Sequence, residues 1–428
     1  MSSILLCAMP LDGHVRPMLE VGRVLVGDGH SVRFLTGGAY SDAVAAVGAE
    51  HVPLAAASDI TPAMLDAGRQ RDGERLSGIR AAIDNTHRNF IATLPGWIDA
   101  IRAEIDGGID LILAEATVFA LGAVCGLPRE DRPPVIACGA FPVVLLSRDA
   151  APPMLGLPPR SDAIGRIRNR VLNAVVTRVV FRGLQRDADA VAMDRTGRRL
   201  PAFLTEWPRV ADRYLQFSVP SFEYPRSDAP DTLRFIGPLA SPKAGERLPS
   251  WWSDLRAAEV VVYVSQGTLA NRDFDELIRP TIGAFADRPD VLVVVTTGGR
   301  PVSDLGPVPS NVRVARMLDD DRLMPLVDVF VTNGGYGGLN HALAHGVPIV
   351  AAGDTEEKVE TCARVEWSGV GLDLRTGTPR SGDIEDAVRR VLDDPRHRRA
   401  AERIRDDISE APRERGLLEA VGAVLAPA

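Results

Sequence analysis

Residues 329–350, VFVTNGGYGGLNHALAHGVPIV, decide the fold of this chain. The stretch begins with an apolar run, continues with four glycines within five residues, and ends with a second apolar run. A helix is predicted after the glycines, so a strand, a glycine-rich turn and a helix follow one another. Glycines at such a turn let backbone N–H groups converge at the helix start, where their partial positive charge suits a phosphate. The alternative is a turn whose glycines serve tight packing alone.

The same alternation of apolar runs and helical patterns recurs along the chain. The further runs are SILLCAM, SVRFLTG, DLILAEA, PPVIACG, VVVYVSQG and VLVVVTTG, and they are apolar throughout. Such runs are typical of parallel strands that helices cover on both faces. They form two sets, in residues 4–140 and 260–375, so we predict an α/β protein with two doubly wound parallel sheets that face each other across a cleft.

The predicted domain boundaries follow from length and from proline content. A chain of 428 residues exceeds what one hydrophobic core usually organises, and five prolines lie between Tyr224 and Pro249. We therefore predict an N-terminal domain over residues 1–225, a linker over 226–250 and a second domain over 251–404.

Composition excludes several classes of protein. The net charge of −8 gives no general attraction to nucleic acid. No run approaches the roughly 20 apolar residues of a membrane span, and the start MSSILLCAMP lacks the basic region of a signal peptide, which predicts a cytoplasmic protein that does not insert stably into membranes. Four separated cysteines without a C-x-x-C pair predict buried free thiols. A small-molecule substrate is the favoured interpretation.

Residues 163–180, AIGRIRNRVLNAVVTRVV, carry apolar residues at helical spacing with arginines on the remaining face. The favoured interpretation is a helix that packs on the N-terminal domain and turns its basic face to solvent. The alternative is a basic amphipathic helix that lies on a membrane surface.

The first strand ends in MPLDGHVRPML, which places His14 at the carboxyl edge of a strand, before a helix predicted to begin near Pro17. Neutral imidazole can accept a proton at neutral pH, and Gly13 is expected to give the backbone freedom to point the ring into the cleft. The alternative is a histidine that only caps the helix.

Three motifs in order carry a resemblance to a known family. They are GHVRP at residues 13–17, VSQGT at 264–268 and the TNGGYGG…GVP box. The chain resembles the UDP-glycosyltransferase superfamily in its bacterial natural-product and macrolide branch, over nearly its whole length. The resemblance implies the two-domain GT-B fold, an N-terminal domain that binds the acceptor, and a second domain that binds a nucleotide sugar. It also implies inverting transfer without a metal, and a final segment, residues 405–428, that returns to the N-terminal domain.

The resemblance assigns the acceptor side residue by residue. His14 matches the general base, and Glu115 matches the carboxylate that orients it, where the family usually has aspartate; Asp12 is the alternative orienting acid. Large apolar acceptors need apolar walls. We predict that the acceptor site includes Asp12, Gly13, Phe90, Trp97, Phe119, Phe141 and parts of residues 145–160. The alternative for each aromatic residue is a place in the hydrophobic core.

On the donor side, the glycines Gly334, Gly335, Gly337 and Gly338 match the diphosphate site, facing Ser265, Gly267 and Thr268 of VSQGT. Asn333 stands where most members have a histidine, and it keeps an amide donor without a charge. Met317 and Leu318 occupy the place of the aromatic residue that stacks on the base.

Two further positions bear on the sugar nucleotide. Glu357 and Lys358 match the acid–glutamine pair that binds sugar hydroxyls; Lys358 is predicted to contact the diphosphate or a different sugar, and the alternative is a solvated helix start. His341 stands where UDP-using members have a glutamate that accepts hydrogen bonds from both ribose hydroxyls. A histidine offers one acceptor, which favours the 2′-deoxyribose of a dTDP-sugar. The alternative is that His341 packs against His345.

The run Asp319–Asp321 is interpreted as an N-cap cluster, and no metal or other cofactor is predicted. The expected partners are a small-molecule acceptor and a nucleotide sugar, and a homodimer stays open. The predicted function is transfer of a (deoxy)sugar, from a dTDP-sugar by preference, to a hydroxyl of a hydrophobic natural product. The alternatives are a UDP-sugar-dependent transferase of the same fold, an epimerase or hydrolase of nucleotide sugars, and an inactive nucleotide-sugar-binding auxiliary protein.

Overall fold

The computed structural model describes residues 1–61, 78–239, 248–268, 271–354 and 357–426, and it contains two parallel sheets. The seven strands of the first are β1 Ser3–Cys7, β2 Ser31–Thr36, β3 Glu50–Pro53, β4 Leu111–Glu115, β5 Val135–Gly139, β6 Arg213–Gln216 and β7 Leu233–Phe235. The six strands of the second are β8 Val260–Ser265, β9 Val291–Thr296, β10 Val312–Ala315, β11 Val329–Thr332, β12 Ile349–Ala351 and β13 Gly371–Asp373.

Helices cover both faces of each sheet. Among the described residues they are α1 Asp12–Gly27, α2 Ser41–Ala46, α3 Gly78–Thr86, α4 Leu94–Asp106, α5 Ala120–Cys125, α6 Ala163–Val175, α7 Arg182–Thr196, α8 Asp254–Ala257, α9 Ile278–Ala284, α10 Asp320–Leu323, α11 Tyr336–Ala344, α12 Lys358–Trp367, α13 Ser381–Asp393, α14 Pro395–Glu410 and α15 Arg413–Leu425. None of them is long and apolar enough to cross a membrane.

The strand orders are β3-β2-β1-β4-β5-β6-β7 and β10-β9-β8-β11-β12-β13. Both have the doubly wound pattern, in which the connections run outward in opposite directions from one central pair of strands. Successive residues of the central strands enter different cores: Leu5 and Cys7 pack on one face of the first sheet, and Ile4 and Leu6 on the other. The predicted architecture of two α/β domains is confirmed.

The first sheet extends into the segment predicted as a linker. Strand β7 lies within residues 226–250 and pairs with β6, so the interpretation of that whole segment as linker was wrong. Residues 240–247, in its second half, lie outside the described residues.

The chain returns to the first sheet through its last helix. Helix α14, which spans the predicted boundary at residue 405, packs on the second sheet through Ala401, Ile404 and Ile408. In α15, Leu417 and Val421 are buried in the core of the first sheet.

The prediction that the apolar stripe of helix α6 packs on the N-terminal domain was wrong, although Arg166 and Arg170 are exposed as predicted. The apolar residues Ile164, Ile167, Val171 and Val175 are between 42% and 69% exposed, and Val179 in the turn that follows the helix is 70% exposed. The buried face instead carries Asn169, whose side-chain amide donates to the carbonyl oxygens of Arg148 and Arg160 at 3.0 and 3.2 Å. Hydrogen bonds to loop carbonyls, rather than apolar burial, therefore attach this helix to the domain.

Candidate active site

Each sheet has one switch point, where the connections leave two neighbouring strands in opposite directions, and the loops predicted to form the site follow these strands. Strand β1 pairs with β4, and the connections leave these two strands in opposite directions, which opens a crevice at their carboxyl ends. His14 follows β1, and Glu115 is the last residue of β4. In the second sheet β8 pairs with β11, so Ser265 and Thr332 are neighbours at the corresponding edge.

His14 and Glu115 form a hydrogen-bonded pair. Nδ1 of His14 lies 2.9 Å from Oε2 of Glu115, whose side chain is fully buried, while the imidazole is 13% exposed. The backbone N–H of Thr117 donates to the other carboxylate oxygen at 3.0 Å, and the Thr117 hydroxyl donates to Oε2. A carboxylate held in this way fixes the Nδ1–H tautomer, which leaves Nε2 as the proton acceptor.

Helix α1 begins at Asp12, five residues before Pro17, so the predicted helix start was wrong and His14 lies in the first turn. Gly13 is not among the residues with positive φ, so the expectation that His14 depends on its backbone freedom was wrong. A Cβ at this position would meet Cζ of Phe141 at an ordinary 3.5 Å.

Asp12 accepts hydrogen bonds from three other residues, and Glu115 is the acid that contacts His14. The Tyr40 hydroxyl donates to Oδ1 at 2.9 Å, and Arg16 and Thr268 donate to Oδ2, each at 3.4 Å. Burial raises the pKa of Tyr40, and the hydrogen-bonded Asp12 carboxylate raises this pKa further, so the phenol remains a donor. Since Thr268 belongs to the second domain, Asp12 links the first turn of α1, which also carries His14, to the donor side of the cleft.

The predicted acceptor aromatics fall into two groups. Phe141 packs on His14, with ring centroids 4.3 Å apart, and it is only partly buried. Phe90 packs on Phe119 at 5.1 Å, but Phe119 is only 9% exposed and belongs to the core. Trp97 is 2% exposed, so the expectation that it lines an acceptor pocket was wrong: helix α4 turns it into the core.

On the donor side, hydroxyl groups meet at the end of β8. The Ser265 hydroxyl accepts from Thr296 at 3.0 Å and from the backbone N–H of Gly267 at 3.2 Å. Gly267 has a φ of +71°, which is costly for any residue with a side chain.

The glycine-rich turn leads directly into helix α11. Gly334 has a φ of +85°, and a Cβ there would collide with Sγ of Cys362, so this position requires glycine. Gly335 precedes the first helical residue, and no neighbouring atom lies within 4 Å of a Cβ built on Gly335 or Gly337. The open space beside Gly335 and Gly337 therefore leaves room for an anion at this helix N-terminus, where an anion is favoured.

Asn333 and Lys358 lie beside this turn. The Asn333 amide donates to the carbonyl oxygen of Gln266 at 2.7 Å, which joins the loops that follow β8 and β11. Lys358 is 7% exposed, so the alternative of a solvated lysine at the helix start was wrong. Its Cβ lies beside Gly353, because α12 begins against the turn that follows β12. Glu357, the residue before α12, is partly buried.

Of the two residues matched to the base-stacking position, only one has an accessible side chain. Leu318 is 5% exposed and belongs to the core of the second domain, whereas Met317 is partly accessible.

His341 lies on α11 next to a carboxylate and a second imidazole. Its Nε2 atom is 3.3 Å from Oδ1 of Asp321, and its ring centroid is 5.2 Å from that of His345. Asp319 does cap helix α10, because its side chain accepts from the backbone N–H of Asp321. The interpretation of the acidic run as an N-cap cluster is thus confirmed for Asp319.

A buried polar network crosses between the two domains below the glycine-rich turn. The Tyr336 hydroxyl donates to Oε1 of Glu223 at 2.7 Å, and Arg364 pairs with Glu223 at 3.1 Å and with Glu360 at 2.9 Å. Burial raises the pKa of Tyr336 well above its usual value, and the charge of Glu223 raises this pKa further, so the phenol remains a donor. The Ser218 hydroxyl donates to the Asn340 side chain at 3.0 Å in the same interface.

Comparison with known proteins places this geometry in a family. Residues 281–423 match the C-terminal domain of erythromycin biosynthesis protein CIII-like proteins. Over 94% of its length the chain is 44% identical to 4′-demethylrebeccamycin synthase of Lentzea aerocolonigenes, of which the match covers 95%. The chain belongs to the natural-product glycosyltransferases.

Two further glycosyltransferases are similar over most of the chain. UDP-glucosyltransferase A1 of Starmerella bombicola is 31% identical, with 95% of this chain and 88% of that protein covered. The solved structure of the spinosyn rhamnosyltransferase SpnG complexed with thymidine diphosphate has a TM-score of 0.70 at 17% identity, with 98% of this chain and all of that chain covered. The same enzyme has been solved with the spinosyn aglycone. This glycosyltransferase therefore has the GT-B fold and takes part in natural-product biosynthesis.

Three residues of the candidate site were not identified by any sequence motif. Thr117, Tyr40 and Thr296 each place a hydroxyl beside a candidate catalytic or donor residue. Isolated residues with hydroxyl groups belong to no motif, so only their position in the folded structure identifies them as part of the site.

Proposed function

We propose that this glycosyltransferase transfers a sugar from a dTDP-sugar to a hydroxyl of a hydrophobic natural product, with inversion and with His14 as general base. The observation that carries the proposal is the 2.9 Å contact between His14 Nδ1 and the buried Glu115 carboxylate at the switch point of the first sheet. Held in this tautomer, His14 has Nε2 free to take the hydroxyl proton as the acceptor oxygen attacks the anomeric carbon.

The donor loops supply what the leaving group needs. As the new bond forms, the bond from the anomeric carbon to the diphosphate breaks, and the electron pair leaves with the diphosphate oxygen. Backbone N–H groups of residues 335–338 and the hydroxyls of Ser265 and Thr268 are the proposed stabilising donors. Transfer by this route uses no metal or other cofactor, so EDTA treatment is expected to leave the rate unchanged.

The cleft between the domains would bring both substrates together. Thr268, a proposed diphosphate contact, lies 3.4 Å from Asp12, which is two residues before His14. Inversion requires attack on the face of the anomeric carbon opposite the diphosphate, and in the proposal His14 activates the acceptor across the cleft from the domain that holds the diphosphate. The relative SpnG, solved with an aglycone and with thymidine diphosphate, supports a two-substrate cleft of this kind.

The nucleotide is proposed to be dTDP on the basis of His341. The structure of SpnG with thymidine diphosphate supports this choice. A UDP-sugar is the second candidate, for two reasons: the relative from Starmerella bombicola is named a UDP-glucosyltransferase, and Asp321 brings a carboxylate acceptor to His341.

A mass-spectrometric screen of matched dTDP- and UDP-sugars against a panel of natural-product aglycones tests the proposal. We expect a glycosylated product with a higher kcat/KM for the dTDP-sugar, and His341→Glu should shift the ratio toward UDP. A clear preference of the wild-type enzyme for UDP would reject the dTDP assignment. Nucleotide binding with no transfer to any aglycone would instead favour an auxiliary protein.

A further inference from the structure

Two imidazoles and one carboxylate form a compact cluster beside the candidate donor site. His341 and His345 are one turn apart on α11, so both rings project from the same face of the helix. Asp321 of α10 places Oδ1 3.3 Å from Nε2 of His341 and 3.4 Å from Nε2 of His345. One ligand atom from each of the three residues lies within 4.8 Å of the other two.

We propose that this cluster is a zinc site. In a tetrahedral zinc site with bonds of about 2.0–2.1 Å, neighbouring ligand atoms are about 3.3 Å apart. The two distances from Nε2 to Oδ1 already match such edges. The remaining edge, between the two imidazoles, is at most 4.8 Å and shortens when the partly exposed rings turn. A zinc ion therefore fits the cluster with side-chain adjustment alone.

The ligand types select the metal. Imidazole nitrogen favours zinc and its transition-metal neighbours, whereas magnesium and calcium prefer all-oxygen sites. The side chains of Asp321, His341 and His345 are 51%, 28% and 24% exposed, so a metal can approach the cluster from solvent and keep water as a fourth ligand. Nε2 of His341 is itself covered, so this ring must turn to bind the metal. Three protein ligands and one water complete the four-coordinate arrangement that zinc adopts at sites with an open position.

Zinc bound at this site would weaken the binding of the nucleotide. This consequence rests on the proposed function, in which His341 contacts the ribose. A zinc ion would occupy Nε2 of His341 and turn the imidazole toward Asp321. Zinc and dTDP are therefore expected to compete, so zinc would inhibit an enzyme whose chemistry needs no metal.

The test is calorimetric titration of zinc chloride into the full-length chain, freed of any histidine tag and stripped with EDTA before desalting. We expect one zinc per chain, and an affinity at least about 10-fold lower for His345→Gln and for Asp321→Asn. His87→Gln is the matched control, because His87 is 52% exposed and has one carboxylate, Asp187, at 3.8 Å. This variant should bind zinc like the wild type, and thermal melting would show that all variants are folded. Absence of saturable binding, or wild-type affinity in His345→Gln, would overturn the proposal.

A second titration separates the zinc site from the proposed function. The Kd of dTDP is measured with and without zinc, for the wild type and for His345→Gln. Free dTDP chelates zinc to the same extent in both titrations, so this effect cancels in the comparison. A zinc-induced rise in Kd confined to the wild type supports both the site and the competition. Zinc binding with unchanged dTDP affinity would support the site and reject the placement of His341 at the ribose. Binding of dTDP without any zinc binding would reject the site and leave the proposed function standing.

Discussion

At position 115 the chain has a glutamate where the resembling family usually has aspartate, and the longer side chain still reaches His14. Glu115 ends β4, and Thr117 turns back so that its N–H and hydroxyl hold the carboxylate. The extra methylene is thus accommodated by burial of the whole side chain.

Glu115→Gln should lower kcat about 10²- to 10⁴-fold, because a neutral amide of the same shape no longer stabilises the imidazolium or fixes the tautomer. The Kd of dTDP should not change, since Glu115 lies on the acceptor side. Single-turnover kinetics together with dTDP titration check both statements, and a kcat within about twofold of the wild type would count against the pair.

Two glycines of the same turn should respond differently to substitution by alanine. Gly334→Ala is expected to destabilise the protein by about 1–3 kcal/mol, because it forces a side chain into a left-handed backbone conformation and against Cys362. Gly337→Ala is the control, since a Cβ there meets no atom within 4 Å. Chemical denaturation measures both, and equal stabilities would contradict the packing described for Gly334.

Single residues were predictable where a motif fixed their place. His14, Gly334 and Ser265 lie at the strand ends that their motifs predicted. The burial of Lys358 and of Trp97 was not predictable, because a helix start and an aromatic residue occur equally well on a surface or in a core.

Among the elements, helix α6 offers a direct test of which face holds it in place. Asn169→Ala should cost about 1–3 kcal/mol, because it removes the two hydrogen bonds that the buried Asn169 amide donates to the carbonyl oxygens of Arg148 and Arg160. The double variant Ile167→Ser/Val171→Ser should stay within about 0.5 kcal/mol of the wild type, since both side chains are more than half exposed. The reverse order of effects in urea denaturation would show that the apolar face is the buried one.

The apolar runs predicted eight strands correctly, and the structure adds five others. Of these, β3, β7, β10 and β13 are sheet edges of three or four residues with polar side chains. Edge strands are kept short and polar because long apolar edges would pair with other chains. Such strands lack the apolar run by which the central strands are recognised. The fifth, β6, has four residues and begins with arginine.

For the whole molecule, the buried pair of Arg364 and Glu223 joins the domains. Burial alone lowers the pKa of Arg364, but the carboxylates of Glu223 and Glu360 outweigh it and raise the pKa, so the guanidinium is charged. Arg364→Met should destabilise the protein by about 3–5 kcal/mol, because it leaves buried carboxylates without their partner. Arg375→Met, which removes a 74% exposed arginine paired with Glu366, should leave the denaturation midpoint unchanged. Equal midpoints in both variants would show that the network adds no stability.

The relation between the domains could not be predicted from patterns. Two doubly wound sheets follow from the spacing of strands and helices, but Glu223 and Arg364 are 141 residues apart, and neither belongs to a motif. Their contact depends on how the segment after β6 packs against α12, which is a property of the assembled molecule.

The most direct test of the central claim is the kcat/KM of His14→Ala for sugar transfer, measured beside the Kd of dTDP for the same variant. If His14 is the general base, we expect kcat/KM to fall by about 10²- to 10⁴-fold with the Kd of dTDP unchanged. Transfer by His14→Ala at the wild-type rate would contradict the account.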